Sequence, residues 1–399
     1  GIPFAIIECK ASAVSCEQGI EETIRNQKPE YIPQLYKFAQ IIIATNKNDG
    51  RYATTGTPKK FWELWREEDT KFLTAALQKY VAGRLATEQD KLLCSLLSPE
   101  RIWNLLKYFI LYDAHIKMSC RYQQYFAVQN IVATIQTFTE KGTRMGGTIW
   151  HTQGSGKSLT MVMLAKYLLT EMAATHPRVI IVTDRKELDK QIAKTFAHTR
   201  LKPARATSGR NLASLLQGDK ADIITAIINK FNTVEKIGVV DDSRELYVLV
   251  DESHRSNYDT MSARMRTVLP KACFIGFTGT PLMGSEKSTI GKFGAYIHKY
   301  TIQQGVEDGA IVPLIYEGRF VEQNVDETNI DLWFEHTTNR LTKKKKKELV
   351  VKWSSVRRLT STNDRIKRIA LDINEHFVQN FLKTGFKAML ATNFKRDAV

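Results

Sequence analysis

The stretch that decides the fold runs from Thr148 to Ser158 and reads Thr-Ile-Trp-His-Thr-Gln-Gly-Ser-Gly-Lys-Ser. A short apolar strand enters a tight glycine-containing loop, and a helical pattern follows directly. Gly154 and Gly156 keep side chains away from the backbone N–H groups that open the helix, so these groups can wrap phosphates. Lys157 would then reach the β- and γ-phosphates of a nucleotide, and the Ser158 hydroxyl would bind Mg²⁺.

One position departs from the strict phosphate-loop pattern, which has glycine where His151 stands. The bland alternative is a chance Gly-Lys-Ser sequence at a surface turn. The strand before the loop and the helix after it argue against that alternative. The residues expected to hold ATP are therefore Gly154, Ser155, Gly156, Lys157 and Ser158.

A second motif follows the apolar run Leu246–Val250, which ends in Asp251 and Glu252. Ligands of parallel sheets bind at the carboxyl ends of the strands, where these two carboxylates would lie. Asp251 could hold Mg²⁺ through water and Glu252 could polarise the attacking water. An isolated Asp-Glu pair after a strand is usually solvated, but together with the phosphate loop it predicts a nucleotide hydrolase.

The surrounding pattern predicts the fold class and its divisions. Residues 121–320 alternate apolar strands with helical stretches, which indicates an α/β lobe with a parallel sheet and crossover helices. Residues 57–120 read as a helical linker layer. Residues 1–56 are predicted to contain a strand at 2–8, helices at 17–28 and around 32–39, and a strand at 41–45. Residues 321–399 resume with helix and a final strand at 386–392. Because the first residues read as a strand already under way, we expect the chain to be a piece of a longer protein.

Composition narrows the function classes. The 399 residues carry 58 Lys and Arg against 42 Asp and Glu, a net charge of +16, which indicates a polyanionic partner such as nucleic acid, or else a basic soluble protein. Hydrophobic residues make up 43%, which excludes a mostly disordered chain. No apolar run is long enough to predict a membrane span. Five scattered cysteines without a C-x-x-C pair predict neither disulfides nor zinc, and they fit a cytoplasmic compartment.

At this point the motifs resemble those of superfamily 2 helicases and translocases. The stretch 251–254, Asp-Glu-Ser-His, resembles their DEAH box, and 278–281, Thr-Gly-Thr-Pro, resembles the motif that couples the ATP site to nucleic acid. The resemblance implies coupling roles for His254, Thr278 and Thr280.

The segment 121–124, Arg-Tyr-Gln-Gln, resembles the adenine-reading segment of the same proteins. The resemblance implies that Tyr122 stacks on the base and that Gln124 bonds to its edge. The alternative for Tyr122 is an ordinary buried tyrosine.

The match narrows to the restriction (R) subunit of type I restriction–modification enzymes, on blocks spread along the whole chain: His-Thr-Gln-Gly-Ser-Gly-Lys-Ser at 151–158, Thr-Asp-Arg-Lys-Glu-Leu at 183–188 and Tyr-Glu-Gly-Arg at 316–319. The resemblance implies an ATP-dependent duplex DNA translocase and endonuclease that works with methylation (M) and specificity (S) subunits. It implies a first RecA-like lobe at 121–320, the start of a second at 321–399, and an arginine supplied by that second lobe. Asn229 departs from the glutamine expected there.

The resemblance also implies a PD-(D/E)xK-type α/β nuclease domain, of which residues 1–56 would be a part; we call them the nuclease segment. Glu8 and Lys10 form an E-x-K pair on one face of a strand. A carboxylate for Mg²⁺ beside a lysine that activates water suits phosphodiester cleavage. Gln27 and Tyr31 fit the Q-x-x-x-Y element of similar nucleases, and a further Asp ligand is implied upstream. A salt-bridged edge strand is the alternative for E-x-K alone.

DNA contacts are expected mainly at phosphates, through Arg185, Lys186 and Lys230 on loops of the lobe. Solvated surface charge explains each of these equally well. The run Lys343–Lys347 could grip DNA, or it could be an exposed, mobile helix or loop.

Three rival interpretations remain open from sequence. A superfamily 2 helicase or remodeller without cleavage would share every motor motif. A type III restriction subunit would carry its nuclease after the motor rather than before it. A nucleic-acid-binding scaffold with an inactive motor is disfavoured by Lys157, Ser158, Asp251 and Glu252.

Overall fold

The computed structural model describes residues 3–113, 116–184, 186–199, 201–218, 221–251, 258–279, 293–319, 334–339, 341–353 and 363–392. The chain divides into two compact units, Gly1–Pro313 and Leu314–Val399. Among the described residues, no helix has the length and apolar character needed to cross a bilayer.

Strands and helices follow each other along the chain. The strands are β1 (Ala5–Cys9), β2 (Ile41–Thr45), β3 (Gly50–Ala53), β4 (Ile110–Asp113), β5 (Ile116–Ser119), β6 (Gly147–His151), β7 (Arg178–Thr183), β8 (Ala204–Arg205), β9 (Ile223–Ile227), β10 (Leu246–Asp251), β11 (Cys273–Thr278) and β12 (Tyr296–Tyr300). The α-helices are α1 (Cys16–Asn26), α2 (Pro33–Tyr36), α3 (Thr70–Tyr80), α4 (Glu88–Leu97), α5 (Pro99–Asn104), α6 (Tyr122–Ile135), α7 (Lys157–Glu171), α8 (Lys186–His198), α9 (Gly209–Gln217), α10 (Phe231–Ile237), α11 (Tyr258–Val268), α12 (Ile302–Glu307), α13 (Lys343–Trp353) and α14 (Asn363–Asn380).

A seven-stranded sheet forms the centre of the first unit, in the order β12-β6-β11-β10-β7-β9-β8. All of its described strand pairs are parallel. Along β10, Tyr247 and Leu249 pack into one hydrophobic cluster, whereas Val248 and Val250 pack into another. This alternation shows that both faces of the sheet are covered, as expected of a parallel sheet. The predicted α/β fold with a parallel-sheet lobe is therefore confirmed.

The nuclease segment builds a separate three-stranded sheet, in which β2 pairs with β1 in parallel and with β3 in antiparallel orientation. Helix α1 packs on this sheet through Cys16 and Ile20, which join a small cluster with Ile42 and Ala44. The strand predicted at 41–45 coincides with β2. The helix predicted around 32–39 is shorter, since only the single turn α2 forms there.

The region 57–120 is less helical than the pattern indicated. It contains α3, α4 and α5, but the run that continues from α5 becomes a π-helix at Leu105–Phe109 and then the antiparallel hairpin β4–β5. The backbone pairing continues beyond the hairpin, since Cys120 N–H donates to the Phe109 carbonyl. Cross-strand pairing therefore overrides a local pattern that favoured helix as far as Ile110.

The second unit contains α13 and α14. Lys343–Lys347 opens α13, and its lysines are mostly exposed. The strand predicted at 386–392 is absent: these residues carry no strand pairing with the rest of the described chain, and Met389 is 93% exposed. An isolated apolar run without a partner strand does not form a strand, because strands depend on pairing.

Candidate functional site

The phosphate loop, residues 151–158, connects β6 to α7. Gly154 and Gly156 have φ angles of +84° and +88°, in the left-handed region that favours glycine. A Cβ atom on Gly156 would also lie 2.4 Å from Gln124 Nε2. Ser155 is buried, and its hydroxyl donates to the Thr152 carbonyl at 2.7 Å. The N-cap residue of α7 is Gly156, and among the described residues no side-chain cap closes this N-terminus, which leaves the first N–H groups of the helix available to a ligand.

Lys157, the first residue of α7, extends its ammonium back toward the start of the loop. Its Nζ donates to the His151 carbonyl at 3.3 Å, and a Cβ atom built on Gly279 would lie 3.1 Å from the same Nζ. The ammonium therefore lies between the start of the phosphate loop and the residue after β11. Thr278, the last residue of β11, is buried next to this point.

Asp251 ends β10 and is 4% exposed. Strand β11 lies between β6 and β10, and the three strands are parallel, so Asp251 and the phosphate loop share one edge of the sheet. Two strand spacings separate β6 from β10 by about 10 Å. This is a distance that a triphosphate and its metal ion can bridge.

A magnesium ion fits this arrangement chemically. Mg²⁺ is usually held by one or two carboxylates together with substrate phosphates and water, rather than by a complete protein cage. The half-buried Ser158 hydroxyl and the Asp251 carboxylate are suitable oxygen donors. Several other predicted residues lie outside the described part of the chain: Arg185, Glu252, His254 and Thr280.

The predicted adenine-reading residues occupy different environments. Gln124 bridges its own helix to the phosphate loop, because its Nε2 donates to the Gly156 carbonyl at 3.0 Å while its Oε1 accepts from Arg121 N–H. Tyr122 is 4% exposed, and its hydroxyl donates to Asp308 at 2.6 Å. Burial, followed by this hydrogen bond, raises the pKa of Tyr122. A ring enclosed in this way favours the alternative of a buried structural tyrosine.

The basic residues expected at DNA also differ. Lys186 begins α8 and is exposed. Lys230 is half-buried and donates to the Ala206 carbonyl, and burial lowers its pKa. The ammonium of Lys230 thus supports the backbone of its own lobe, which favours a structural role, whereas Asn229 beside it is exposed.

In the nuclease segment, Glu8 and Lys10 lie at the end of β1 as the E-x-K pattern predicts. Lys10 Nζ contacts Glu8 Oε1 at 2.9 Å and also pairs with Glu22 of α1. The pairing with Glu22, and then that with Glu8, raises the pKa of Lys10. Gln18, one turn before Glu22, donates to its other carboxylate oxygen at 2.9 Å. A Cβ atom built on Gly19 would lie in ordinary van der Waals contact with Lys10 Cγ, at 3.4 Å.

Gln27 and Tyr31 lie apart from this group. Gln27 accepts from Gly56 N–H at 2.8 Å, and Tyr31 is 51% exposed with the Arg25 guanidinium over its ring. Among the described residues, no hydrogen bond connects either of them to Glu8 or Lys10. The helix α1 instead presents Gln18 and Glu22, which the sequence analysis missed. Their spacing of four residues, one helical turn, was the available signal.

The nuclease carboxylates do not form a metal site by themselves. In the described part of the chain, no group of three or more His, Cys, Asp or Glu side chains could hold a metal ion. Glu8 and Glu22 both contact the Lys10 ammonium. Two carboxylates on one lysine fit part of a nuclease centre, to which a further ligand would have to be added.

Comparisons with known proteins find family matches for two parts of the chain. Residues 123–347, more than half of the chain, match the SWI2/SNF2 ATPase family, and residues 1–61 match the type I restriction enzyme R protein N terminus. The chain is 32% identical to a sequence assigned as the MjaIXP type I restriction enzyme endonuclease subunit of Methanocaldococcus jannaschii, over 100% of this chain and 40% of that relative. It is 29% identical to the type I restriction enzyme HindI endonuclease subunit of Haemophilus influenzae, over 100% of this chain and 39% of that relative.

The chain thus spans about two fifths of the length of these curated relatives. Among solved structures, the Pyrococcus furiosus Hef helicase domain is 17% identical with a TM-score of 0.37, covering 64% of this chain and 54% of that one. The family matches and the two relatives confirm the resemblance found in the motifs. The chain belongs to the SWI2/SNF2 ATPase family, and along its whole length it is similar to endonuclease subunits of type I restriction enzymes.

Proposed function

We propose that the complete subunit is an ATP-dependent duplex DNA translocase and endonuclease, of which this chain supplies the first RecA-like motor lobe and part of the nuclease domain. One observation carries the proposal: the phosphate loop with Lys157, the end of β11 and Asp251 meet at one edge of a parallel sheet. We propose the same divisions as before, with the nuclease segment at 1–56, a linker at 57–120, the lobe at 121–320 and a second lobe beginning in 321–399.

ATP hydrolysis at this edge would be catalysed mainly by positioning the reacting groups and by stabilising the charge of the phosphates. The N–H groups that open α7 bind the phosphates, and Lys157 neutralises the β- and γ-phosphates. Mg²⁺, held by Ser158 and Asp251, would offset the charge of the transferred group. Glu252 orients the attacking water. An arginine from the second lobe would complete the site, and closing and opening of the lobes would move the subunit along DNA.

In the nuclease domain, we propose that Glu8 binds Mg²⁺ and that Lys10 positions and activates the water that attacks the phosphodiester. The contact between their side chains supports this pairing. Glu22 would hold the Lys10 ammonium in place, because its carboxylate is in turn fixed by Gln18. Cleavage would follow when translocation stalls.

The partners proposed are duplex DNA and the methylation (M) and specificity (S) subunits of the same enzyme, in the cytoplasm. The net charge of +16 supports a polyanionic partner. Contacts to DNA phosphates would release counterions, so DNA binding should weaken steeply as salt rises. Lys186, exposed at the start of α8, remains a candidate contact.

The test is made with the full-length subunit assembled with its partner subunits. We expect DNA to stimulate ATP hydrolysis, and we expect plasmid cleavage that requires ATP. Strand unwinding without cleavage would favour the rival helicase interpretation. Absence of DNA-stimulated ATP hydrolysis would contradict the proposal itself.

A further inference from the structure

A chain of three polar side chains connects the phosphate loop to the segment that precedes α3. His151, the first residue of the loop, is completely buried, and its Nε2 lies 2.8 Å from Nδ1 of His298 on β12. The other ring nitrogen of His298 lies 2.8 Å from Glu68 Oε2. The side chains of His298 and Glu68 are 4% and 35% exposed, so the chain runs from the interior to a partly solvated carboxylate.

The hydrogen-bond roles along this chain follow from its anionic end. The Glu68 carboxylate can only accept, so His298 Nε2 donates to it. Nδ1 of a neutral His298 must then accept, and His151 Nε2 donates. Nδ1 of a neutral His151 is therefore unprotonated, and it is buried without a hydrogen-bond partner among the described residues. Burial lowers the pKa of His151, which agrees with a neutral ring at this position.

Glu68, the outer member of these three side chains, is fixed in position, because it and the two residues before it each contact a different part of the structure. Arg66 Nε contacts Asp308 after α12 at 2.7 Å. Glu67 pairs with Arg101 of α5 at 2.8 Å, and both side chains are buried, at 3% and 4% exposure. Glu68 follows directly and binds His298. A segment held at each of three successive residues defines the position of the Glu68 carboxylate closely.

His151, the inner member of the three side chains, also contacts Lys157. The His151 carbonyl accepts from Lys157 Nζ at 3.3 Å, so a displacement of His151 would displace the lysine as well. His151 stands where the common loop pattern has glycine, and its side chain is accommodated by the contact with His298 and by the Tyr300 ring 6.0 Å away. The side chain of His151 is therefore held in place by specific contacts with its surroundings.

We propose that Glu68, His298 and His151 act as a positioning relay, through which the segment before α3 sets the geometry of the phosphate loop before ATP binds. The inference rests on the proposed function, since it requires that the loop binds ATP. None of the three side chains needs to touch the nucleotide. Once ATP is bound, its phosphates hold the loop through the backbone N–H groups, so loss of the relay should act mainly on ATP binding and less on the chemical step.

The experiment measures DNA-stimulated ATP hydrolysis across ATP concentrations, with the full-length subunit assembled with its partners. His298→Phe keeps an aromatic ring but removes both hydrogen bonds, and we expect the KM for ATP to rise about tenfold while kcat stays within about twofold. Equilibrium binding of a fluorescent ATP analogue should weaken in parallel. Glu68→Ala should act in the same direction, whereas Glu68→Gln should restore much of the affinity because its amide oxygen can still accept.

The matched control is Asp69→Ala, which removes the side-chain cap from Phe72 N–H of α3, next to Glu68, without touching His298. Its KM should stay within about twofold of the wild-type value. Partial unfolding of a variant would lower the maximal rate of ATP hydrolysis without raising the KM. If His298→Phe does not fold, Glu68→Ala is used in its place. An unchanged KM in both relay variants, or an equal rise in Asp69→Ala, would overturn the relay. A wild-type subunit without ATP hydrolysis would overturn the proposed function and the relay with it.

Discussion

In the seven-stranded sheet and in the three-stranded sheet, the candidate functional residues lie at the end of a parallel strand. The two sheets differ in how many of the groups that a site would need are brought together there. In both, polar residues follow a parallel strand: the phosphate loop follows β6, and Lys10 follows β1. The larger sheet brings the ends of β6, β11 and β10 together at one edge. The smaller sheet offers one carboxylate, Glu8 of β1, and helix α1 adds Glu22; both contact Lys10.

The difference follows from the groups that bind in each case. A phosphate loop binds largely through backbone N–H groups, so a contiguous stretch with glycine at two positions builds most of it. A nuclease centre depends on side chains from separate elements, here β1 and α1, and its metal ligands must converge. The first kind of site is therefore built mostly from one stretch of sequence, whereas the second depends on several separate elements.

The largest expected effect comes from Lys157→Ala in the holoenzyme. The variant removes the charge that neutralises the β- and γ-phosphates, and we expect ATP hydrolysis to fall by about 10³-fold. Translocation and ATP-dependent cleavage should disappear with it. A steady-state ATPase assay and a triplex-displacement assay of translocation would measure both. Continued translocation by this variant would show that the phosphate loop is not the motor site.

The next largest effect is expected from Lys10→Ala, which should impair DNA cleavage and leave ATP hydrolysis intact. We expect cleavage to fall by about 10²-fold, because the water loses the lysine that activates it, while ATP hydrolysis continues at the wild-type rate. Plasmid linearisation and phosphate release would be measured in the same reaction.

The matched control for Lys10→Ala is Lys59→Ala, since Lys59 also bridges two carboxylates of α1, Glu17 and Glu21, at the surface. It should cleave normally. Double-strand cleavage that survives Lys10→Ala would remove the nuclease assignment and leave the motor assignment intact.

For this physical reason, the local geometry of the phosphate loop could be predicted from the sequence more completely than the contacts of the nuclease segment. Gly154, Gly156 and Lys157 adopt the predicted loop because adjacent residues and a left-handed backbone build it. The E-x-K pair was predicted equally well, since alternation along one strand is local. The hairpin β4–β5 was missed because its stability comes from pairing across the turn.

Long-range partners could not be predicted. His298 reaches His151 across 147 positions of sequence, and the partners of Tyr122 and Lys230 also come from distant residues. Local sequence indicates which side chains have the right chemical type for a site, but it carries no information on which distant group will neutralise or bury them. Burial and pairing of this kind decide whether a tyrosine stacks on a base or packs inside the lobe.

A smaller effect tests whether cleavage depends on Glu22, which contacts Lys10, or on Gln27 of the Q-x-x-x-Y element. Glu22→Gln should reduce cleavage about tenfold, because the Lys10 ammonium loses one of its two anionic partners. Glu21→Gln, one position earlier and paired with Lys59, is the matched control and should cleave normally. Gln27→Ala provides the opposing arm. Loss of cleavage in Gln27→Ala with normal cleavage in Glu22→Gln would support the Q-x-x-x-Y assignment against the observed geometry.

The smallest effect concerns Tyr122. Tyr122→Phe keeps the aromatic ring but removes the hydroxyl that donates to Asp308, so we expect a loss of about 1 kcal/mol of stability and an unchanged KM for ATP. Tyr31→Phe alters a tyrosine that is 51% exposed and should leave the unfolding temperature unchanged. Thermal unfolding of the full-length subunit, together with ATP titration, would measure both quantities. An unaltered unfolding temperature in Tyr122→Phe would contradict a structural role for the hydroxyl, because Asp308 would have lost one of its donors without any cost.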